Sequence, residues 1–246
     1  MHFVKYNASG NDFLITHTFQ SRNRSELAKR LCHRQHGIGA DGLVVLIPHE
    51  SHDFAWEFYN SDGSIASMCG NASRATAHYA FNYGLASSSM QFLTGAGVIS
   101  ASVNGHSVES QLTPPQLLQD FFEDEGFQWI LIDTGVPHLV TYDTSFDKEL
   151  ARRMRHKYNA NVNFASLLPS HLDVRTFERG VEDETLACGT GMCAAFYGLY
   201  LHHKIGNFTK VLPLSQEELF VRIDTNTLFF KGDVHSVFET FYKEIL

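Results

Sequence analysis

Two cysteines stand where a thiol could do chemistry. Cys188 lies near the end of the stretch Glu178-Arg179-Gly180-Val181-Glu182-Asp183-Glu184-Thr185-Leu186-Ala187-Cys188-Gly189-Thr190-Gly191, and an apolar run from Met192 to Leu201 follows directly. Cys69 has a similar setting. Glu57-Phe58-Tyr59-Asn60-Ser61-Asp62-Gly63 leads to Cys69-Gly70-Asn71, and Ala72 to Phe81 then reads as a helix. Each cysteine thus falls where a loop gives way to a helix. A helix N-terminus carries partial positive charge and N–H groups without intrahelical acceptors. A thiol placed there has a lowered pKa and becomes a usable base or nucleophile. The glycine after each cysteine lets a ligand approach the backbone closely.

Two thiols of matched basicity can move a proton across a carbon. A free thiol titrates near pH ~8.5 and lower at a helix start, so thiol and thiolate coexist near neutrality, where a general base is efficient. One group takes a proton from Cα on one face; the other returns a proton on the opposite face. The helix starts offer N–H groups to a substrate carboxylate, where charge builds as the proton leaves. No pyridoxal-lysine motif is visible, so this chemistry is expected to run without a cofactor. The same residues permit a cysteine hydrolase, with Cys188 as nucleophile and His138 as base, but that leaves Cys69 without a role. A cysteine beside glycine at one helix start is also often just a small buried residue. Finding the device twice, once in each half, favours function and one site built from two halves.

The elements that position these residues follow from periodicity and turn signals. Phe3 to Tyr6 and Asp12 to His17 read as strands around the turn-rich loop Asn7 to Asn11. Ser25 to Arg34 reads as a helix with Ser25 as its cap and Cys32 on its buried face. Gly37-Ile38-Gly39-Ala40-Asp41-Gly42 has dinucleotide-fingerprint spacing but sits between a helix and a strand, the reverse of the order that motif needs. Phe54 to Tyr59 alternates at strand period, and Asn104-Gly105 marks a hairpin. Thr113-Pro114-Pro115-Gln116 is the expected domain boundary, with a polar, acidic stretch from Gln119 to Gly126 after it. Strands are expected at Trp129 to Asp133, Leu139 to Tyr142, Ser166 to Leu168 and Leu172 to Glu178, with a helix from Phe146 to His156. Cys188 to His203 is the second cysteine helix, and short strands finish the chain. The order repeats between halves, as in an internal duplication. The two cysteine helices are too apolar to lie on a surface and should be buried. The expected architecture is α/β of the α+β type: two pseudo-symmetric halves, each a mixed or antiparallel sheet wrapped around a central helix. The halves are 1–115 and 116–235, with a last strand at about 236–246 returning to the first.

Composition narrows the classes. The chain has 246 residues, 43% hydrophobic and 19% charged, enough for one large or two ordinary domains. A net charge of −8 disfavours nucleic-acid or anionic-membrane binding. No apolar run reaches the ~18 residues of a membrane span, and the residues from Met1 to Asn7 lack a signal-peptide core. A cytoplasmic, thiol-reducing setting is therefore expected. The four cysteines have no metal-ligand spacing and the histidines are scattered, so no metal is expected.

At these residues the chain resembles diaminopimelate epimerases, which interconvert LL- and meso-2,6-diaminopimelate without pyridoxal phosphate, in lysine and peptidoglycan synthesis. The likeness rests on Gly10-Asn11-Asp12-Phe13, Gly37 to Gly42, Phe58 to Gly63, Cys69-Gly70-Asn71, Pro137-His138, Asn161-Val162-Asn163-Phe164 and Glu178 through Gly191. It implies Cys69 and Cys188 as the acid/base pair, with His138 and Glu178 tuning the thiols. It implies Asn11, Asn60, Gly70, Asn71, Asn161, Glu178, Arg179, Gly189 and Thr190 as substrate-binding. It further implies a small-molecule substrate, no cofactor and a homodimer. Val136 stands where many members carry asparagine, and Gly42 where some carry a substrate-binding glutamine; both departures bear on recognition. A racemase of related fold acting on proline or hydroxyproline is the nearest rival.

Overall fold

The computed structural model describes residues 1–243. In chain order its first elements are β1 (His2–Ala8), β2 (Asn11–His17), α1 (Ser25–Cys32), β3 (Gly42–Ile47), β4 (Phe54–Asn60) and α2 (Gly70–Asn82). Then come β5 (Ser89–Thr94), β6 (Gly97–Asn104), β7 (Ser107–Gln111), β8 (Gln116–Asp124), β9 (Phe127–Asp133) and β10 (Pro137–Tyr142). The rest are α3 (Lys148–Tyr158), β11 (Asn161–Leu167), β12 (Leu172–Glu178), β13 (Asp183–Thr185), α4 (Gly189–Leu201), β14 (Phe208–Leu212), β15 (Leu219–Asp224), β16 (Thr227–Asp233) and β17 (His235–Phe241). The chain divides into two compact units: Met1–Ser110 with the chain from Gly232 on, and Gln111–Lys231. The last three residues of the strand expected at about 236–246 lie outside the described residues.

The two units share one topology. In the first, neighbouring strands run β17, β1, β2, β3, β4, β5, β6, β7. In the second they run β8, β9, β10, β11, β12, β14, β15, β16. Only the third and fifth pairings are parallel in each, β2–β3 and β4–β5 in one, β10–β11 and β12–β14 in the other. A parallel pairing needs a crossover, and a helix supplies each: α1 and α2 in the first unit, α3 and α4 in the second.

Alternation along the strands explains the layers. Phe13 and Ile15 of β2 pack with α2, while Leu14 packs with α1. Val44 and Leu46 of β3 likewise face α2, and Leu43 and Val45 face α1. Both faces of these strands are covered, so β3 is apolar almost throughout. The period-2 pattern of β4 similarly separates two interiors: Phe54, Trp56 and Phe58 lie in one core and Tyr59 in the other. Helix α1 is amphipathic, burying Leu27, Ala28, Leu31 and Cys32. Helix α2 is buried from Gly70 to Ala80, and α4 from Met192 to Leu199. Phe81, expected within the buried helix, lies 41% exposed, because the buried stretch of α2 stops one residue earlier.

Some boundaries differ from expectation for local reasons. Helix α1 ends at Cys32, and Arg24, not Ser25, stands at its N-cap without a side-chain cap bond, while Asn23 Oδ1 accepts from the Ser25 N–H at 2.8 Å just before the helix. Helix α3 starts two residues later than expected because Asp147 Oδ1 accepts from the N–H groups of Glu149 and Leu150. Asn159, left-handed at φ 50°, ends it. The acidic stretch after the Thr113–Gln116 segment is strand β8. Its side chains are mostly exposed, so no alternation marks it in the sequence.

Candidate active site

The first cysteine stands at the N-cap of α2 with extended backbone, φ −153° and ψ 123°, and its side chain does not cap the helix. The Ser73 N–H bonds the Cys69 carbonyl at 2.9 Å, the first turn of the helical ladder. The amides of Gly70, Asn71 and Ala72 therefore have no intrahelical acceptor. Asn71 is 2% exposed, and a directed chain of hydrogen bonds runs through it. Buried Arg74 donates to Asn71 Oδ1 at 2.7 Å and to Ser9 Oγ at 2.8 Å. Asn71 Nδ2 donates to Asn11 Oδ1 at 2.7 Å, and Asn11 Nδ2 donates to Asp41 Oδ2 at 3.1 Å. A guanidinium can only donate and a carboxylate only accept, so both amide orientations are fixed. Asp41 also accepts from the Asp12 N–H and from Arg34. Burial would raise the Asp12 carboxyl, but Arg34 and Lys5 outweigh it and hold it below the usual range.

Asn11 and Asn71 are thus joined, and Asn60 stands apart from this chain. It ends β4, exposed, donating to Ser64 Oγ at 2.9 Å. Glu57, in the middle of β4, serves the structure. It accepts from Ser21, from the Arg22 N–H and from buried Arg24. The glycines of the Gly37–Gly42 loop answer to packing. A Cβ on Gly37 would lie 2.2 Å from the Arg30 carbonyl, and one on Gly42 2.8 Å from the Phe58 ring.

The second unit repeats the placement with other side chains. Cys188, 8% exposed, is the N-cap of α4 at φ −117° and ψ 105°, and its side chain makes no cap bond. Its Sγ lies 3.5 Å from Thr190 Oγ1, and the Thr190 carbonyl accepts from Thr134 Oγ1 at 2.9 Å. Gly189 packs against Phe230, where a Cβ would fall 3.0 Å from the ring. Asn161 opens β11 opposite His138 of β10. Its Oδ1 accepts from the Arg179 N–H at 2.9 Å and its Nδ2 donates to the Pro137 carbonyl at 3.2 Å. Arg179 in turn donates to the Asn159 carbonyl. Glu178 ends β12, half-buried and paired with Asp183 of β13.

His138 is fully buried. Burial pushes its pKa down to about 3, and the Arg179 charge acts in the same direction. The ring is therefore neutral. Asn163 Nδ2 lies 3.1 Å from Nδ1, Asn163 Oδ1 accepts from Thr176 Oγ1, and buried Nε2 has no hydrogen-bond partner among the described residues.

Equivalent strands place different groups at equivalent points. Asn60 ends β4 as Glu178 ends β12, and Gly42 opens β3 as Asn161 opens β11. The counterpart of Glu178 is therefore Asn60. Asp41, Arg34 and Arg74 around Asn11 and Asn71, and Asn163 and Thr176 around His138, make further polar contacts and were not singled out from the sequence. An arginine inside the apolar helix α2, and two asparagines two apart on β11, were the available signals. None of the four cysteines is in a disulfide, and no group able to hold a metal occurs among the described residues.

Comparison with known proteins gives the family and the fold. The pattern describing diaminopimelate epimerase matches residues 3–118. A diaminopimelate epimerase of a Nitratiruptor species is 58% identical over the whole of both chains. One from Campylobacter jejuni subsp. doylei is 55% identical over 98% of this chain and 99% of its own. Solved structures share the fold at low identity. A probable proline racemase from Agrobacterium radiobacter matches with a TM-score of 0.77 at 12% identity, covering 99% of this chain and 93% of its own. A hydroxyproline epimerase from Agrobacterium vitis matches with a TM-score of 0.73 at 13% identity, covering 98% and 91%. Identity above half along the full length, with both cysteine-capped helices in place, makes this chain a member of the diaminopimelate epimerase family.

Proposed function

We propose that this chain interconverts LL- and meso-2,6-diaminopimelate by proton exchange between Cys69, Cys188 and one α-carbon. One observation carries the mechanism: each unit puts a cysteine at the N-cap of its central buried helix. In the forward step one thiolate takes the α-proton and becomes a thiol. The electron pair left on Cα delocalises into the carboxylate, and the other thiol gives its proton to the opposite face, leaving a thiolate. The reverse reaction exchanges their roles. The free amides of the helix starts suit the carboxylate, whose charge grows as the proton leaves. Asn11, Asn60, Asn71, Asn161, Glu178 and Arg179 supply polar and charged groups for a substrate with two amino-acid ends, with Gly70, Gly189 and Thr190 as the backbone cradle. No step calls for a cofactor.

The working form is a homodimer on this reading. Val237, Phe238 and Phe241 of β17 are exposed at 55%, 42% and 79%, an apolar strand surface suited to a second copy. The setting is the cytoplasm, where cysteines outside disulfides stay reduced. The test is proton NMR with LL-diaminopimelate in D₂O and a reductant. Loss of the α-proton signal with formation of the meso isomer supports the reading. No exchange by folded, reduced protein refutes it, and exchange with proline instead moves the chain to the racemase reading. Cys69→Ala and Cys188→Ala should each abolish epimerisation.

A further inference from the structure

The buried polar cluster beneath the start of α4 fixes the chemistry of His138. Asn163 lies on β11 opposite Val140 of β10 and Thr176 of β12. One terminal atom of its amide is 3.2 Å from the Leu139 carbonyl oxygen and 3.1 Å from His138 Nδ1. A carbonyl oxygen only accepts, so that atom must be the nitrogen. The other terminal atom, 2.9 Å from Thr176 Oγ1, is then the oxygen, which accepts the threonine proton. The amide nitrogen has two protons; one goes to Leu139 and the other faces Nδ1. An N–H at Nδ1 would set donor against donor. Nδ1 is therefore bare, and the neutral ring carries its proton on Nε2, the buried atom without a hydrogen-bond partner. A buried donor is normally satisfied, so an unmet one points to an acceptor that arrives with the reaction. Helix α4 closes the cluster: a Cβ on Gly191 would fall 2.3 Å from Asn163 Oδ1.

We propose that Asn163 is a positioning residue that holds His138 as the Nε2–H tautomer, making His138 a neutral hydrogen-bond donor to an anion of the reaction, neither its acid nor its base. The role in turnover rests on the epimerase reading; the tautomer does not. A histidine that accepted a thiol proton would need Nε2 bare or Nδ1 free. Here Nε2 is protonated and Nδ1 is occupied by an amide proton.

Nitrogen-15 NMR of the resting protein tests the tautomer without turnover. Nδ1 should resonate as an unprotonated ring nitrogen and Nε2 as a protonated one, unchanged across neutral pH. The reverse assignment overturns the proposal even if the protein epimerises well. Asn163→Asp presents oxygen to Nδ1 and should move the ring proton there; an unchanged tautomer refutes the role of Asn163. Turnover tests the donor. Glutamine keeps an N–H near the position of Nε2 but cannot exchange a proton as imidazole does. His138→Ala should lower kcat by about 10- to 100-fold, the loss of one hydrogen bond to a charged group. His138→Gln should recover at least about tenfold of that. Equal losses in both variants, toward the ~10²–10⁴-fold of a missing acid or base, would overturn the donor role. Absence of epimerisation in the parent protein defeats the epimerase reading and leaves the tautomer result standing.

Discussion

Gly191→Ala is the sharpest single perturbation of the second cysteine's surroundings. The added methyl carbon would fall 2.3 Å from Asn163 Oδ1 and 3.0 Å from Thr176 Oγ1, where ordinary contact begins at 3.4 Å. Neither neighbour is a flexible chain end, because each is hydrogen-bonded and buried. Two effects oppose. Alanine favours the helix by about 1 kcal/mol over glycine, and overpacking a core costs about 1–3 kcal/mol. The net loss of stability should be about 0–2 kcal/mol, a fall in Tm of up to about 8 °C for a chain this size. Activity should suffer more than stability, since the displaced atom belongs to the amide that orients His138. A fall of about 10- to 100-fold in kcat/KM is expected. Gly198→Ala is the matched comparison. Its Cβ would lie 2.2 Å from the Tyr142 hydroxyl, further along α4 and away from Asn163. It should cost comparable stability, while kcat/KM of the folded protein stays within about threefold, as for an independent site. Gly206→Ala, with open space around its Cβ, should change neither. Thermal unfolding and steady-state kinetics on all three separate the cases. Parent-level turnover in Gly191→Ala, or an equal loss in Gly198→Ala, would defeat the reasoning.

Other expectations follow from particular contacts. Asp41→Asn replaces the acceptor shared by Asn11 Nδ2 and the Asp12 N–H. It should lower kcat/KM about 10- to 100-fold, chiefly through KM, and an unchanged KM would detach Asn11 from binding. His138 couples stability to pH. Its pKa is about 3 in the folded protein against 6.5 unfolded, so between these values the unfolded chain holds a proton that the native one lacks. Its contribution is complete above pH 6.5 and is lost as pH falls, at about 1.4 kcal/mol per pH unit. Urea unfolding at about pH 6.5 and about pH 5 should show a drop larger by about 2 kcal/mol in the parent than in His138→Gln; equal drops refute the assignment. Cys32 is 1% exposed, and burial pushes its pKa up to about 12. It should resist iodoacetamide in the native protein and react in urea; native labelling as fast as at half-buried Cys69 would contradict this.

The features readable in the sequence were those with a period or a fixed chemical order. Helices α2 and α4 are buried over most of their lengths, and runs such as Met192 to Leu199 declare that directly. The two cysteine-glycine pairs announced the helix starts: α4, expected from Cys188, begins at Gly189, and α2, expected from Ala72, begins at Gly70. Strand β8 stayed hidden because a strand exposed on both faces has no apolar alternation. The support of the site stayed hidden for another reason. Asp41, Arg74 and Asn163 matter through partners 30, 3 and 25 residues away, and each was blended into a pattern that explained something else. Strand ends, not linear spacing to the cysteine, show that Asn60 stands where the second unit has Glu178.

The shared topology of the two units makes their chemical differences informative. Where the first has Asn60, Gly42 and Phe13, the second has Glu178, Asn161 and His138 at matching ends of matching strands. If the reaction asked the same of both units, like groups would be expected at like places. On the proposed mechanism proton transfer asks the same of both thiols, and both are held alike, at N-cap positions that make no side-chain cap bond. The rest of an amino-acid centre is not symmetric. An α-carbon carries an amino group on one side and a carboxylate on another, and reflection through the reacting carbon does not exchange them. On the proposed function, the difference between Asn60 in one unit and Glu178 in the other would serve recognition of such a centre. Exchanging groups between units tests this: Asn60→Glu should damage binding while leaving the thiols and the helix starts intact. Retained affinity for diaminopimelate in that variant would show that the two units' side chains are interchangeable and that their difference serves something other than recognition.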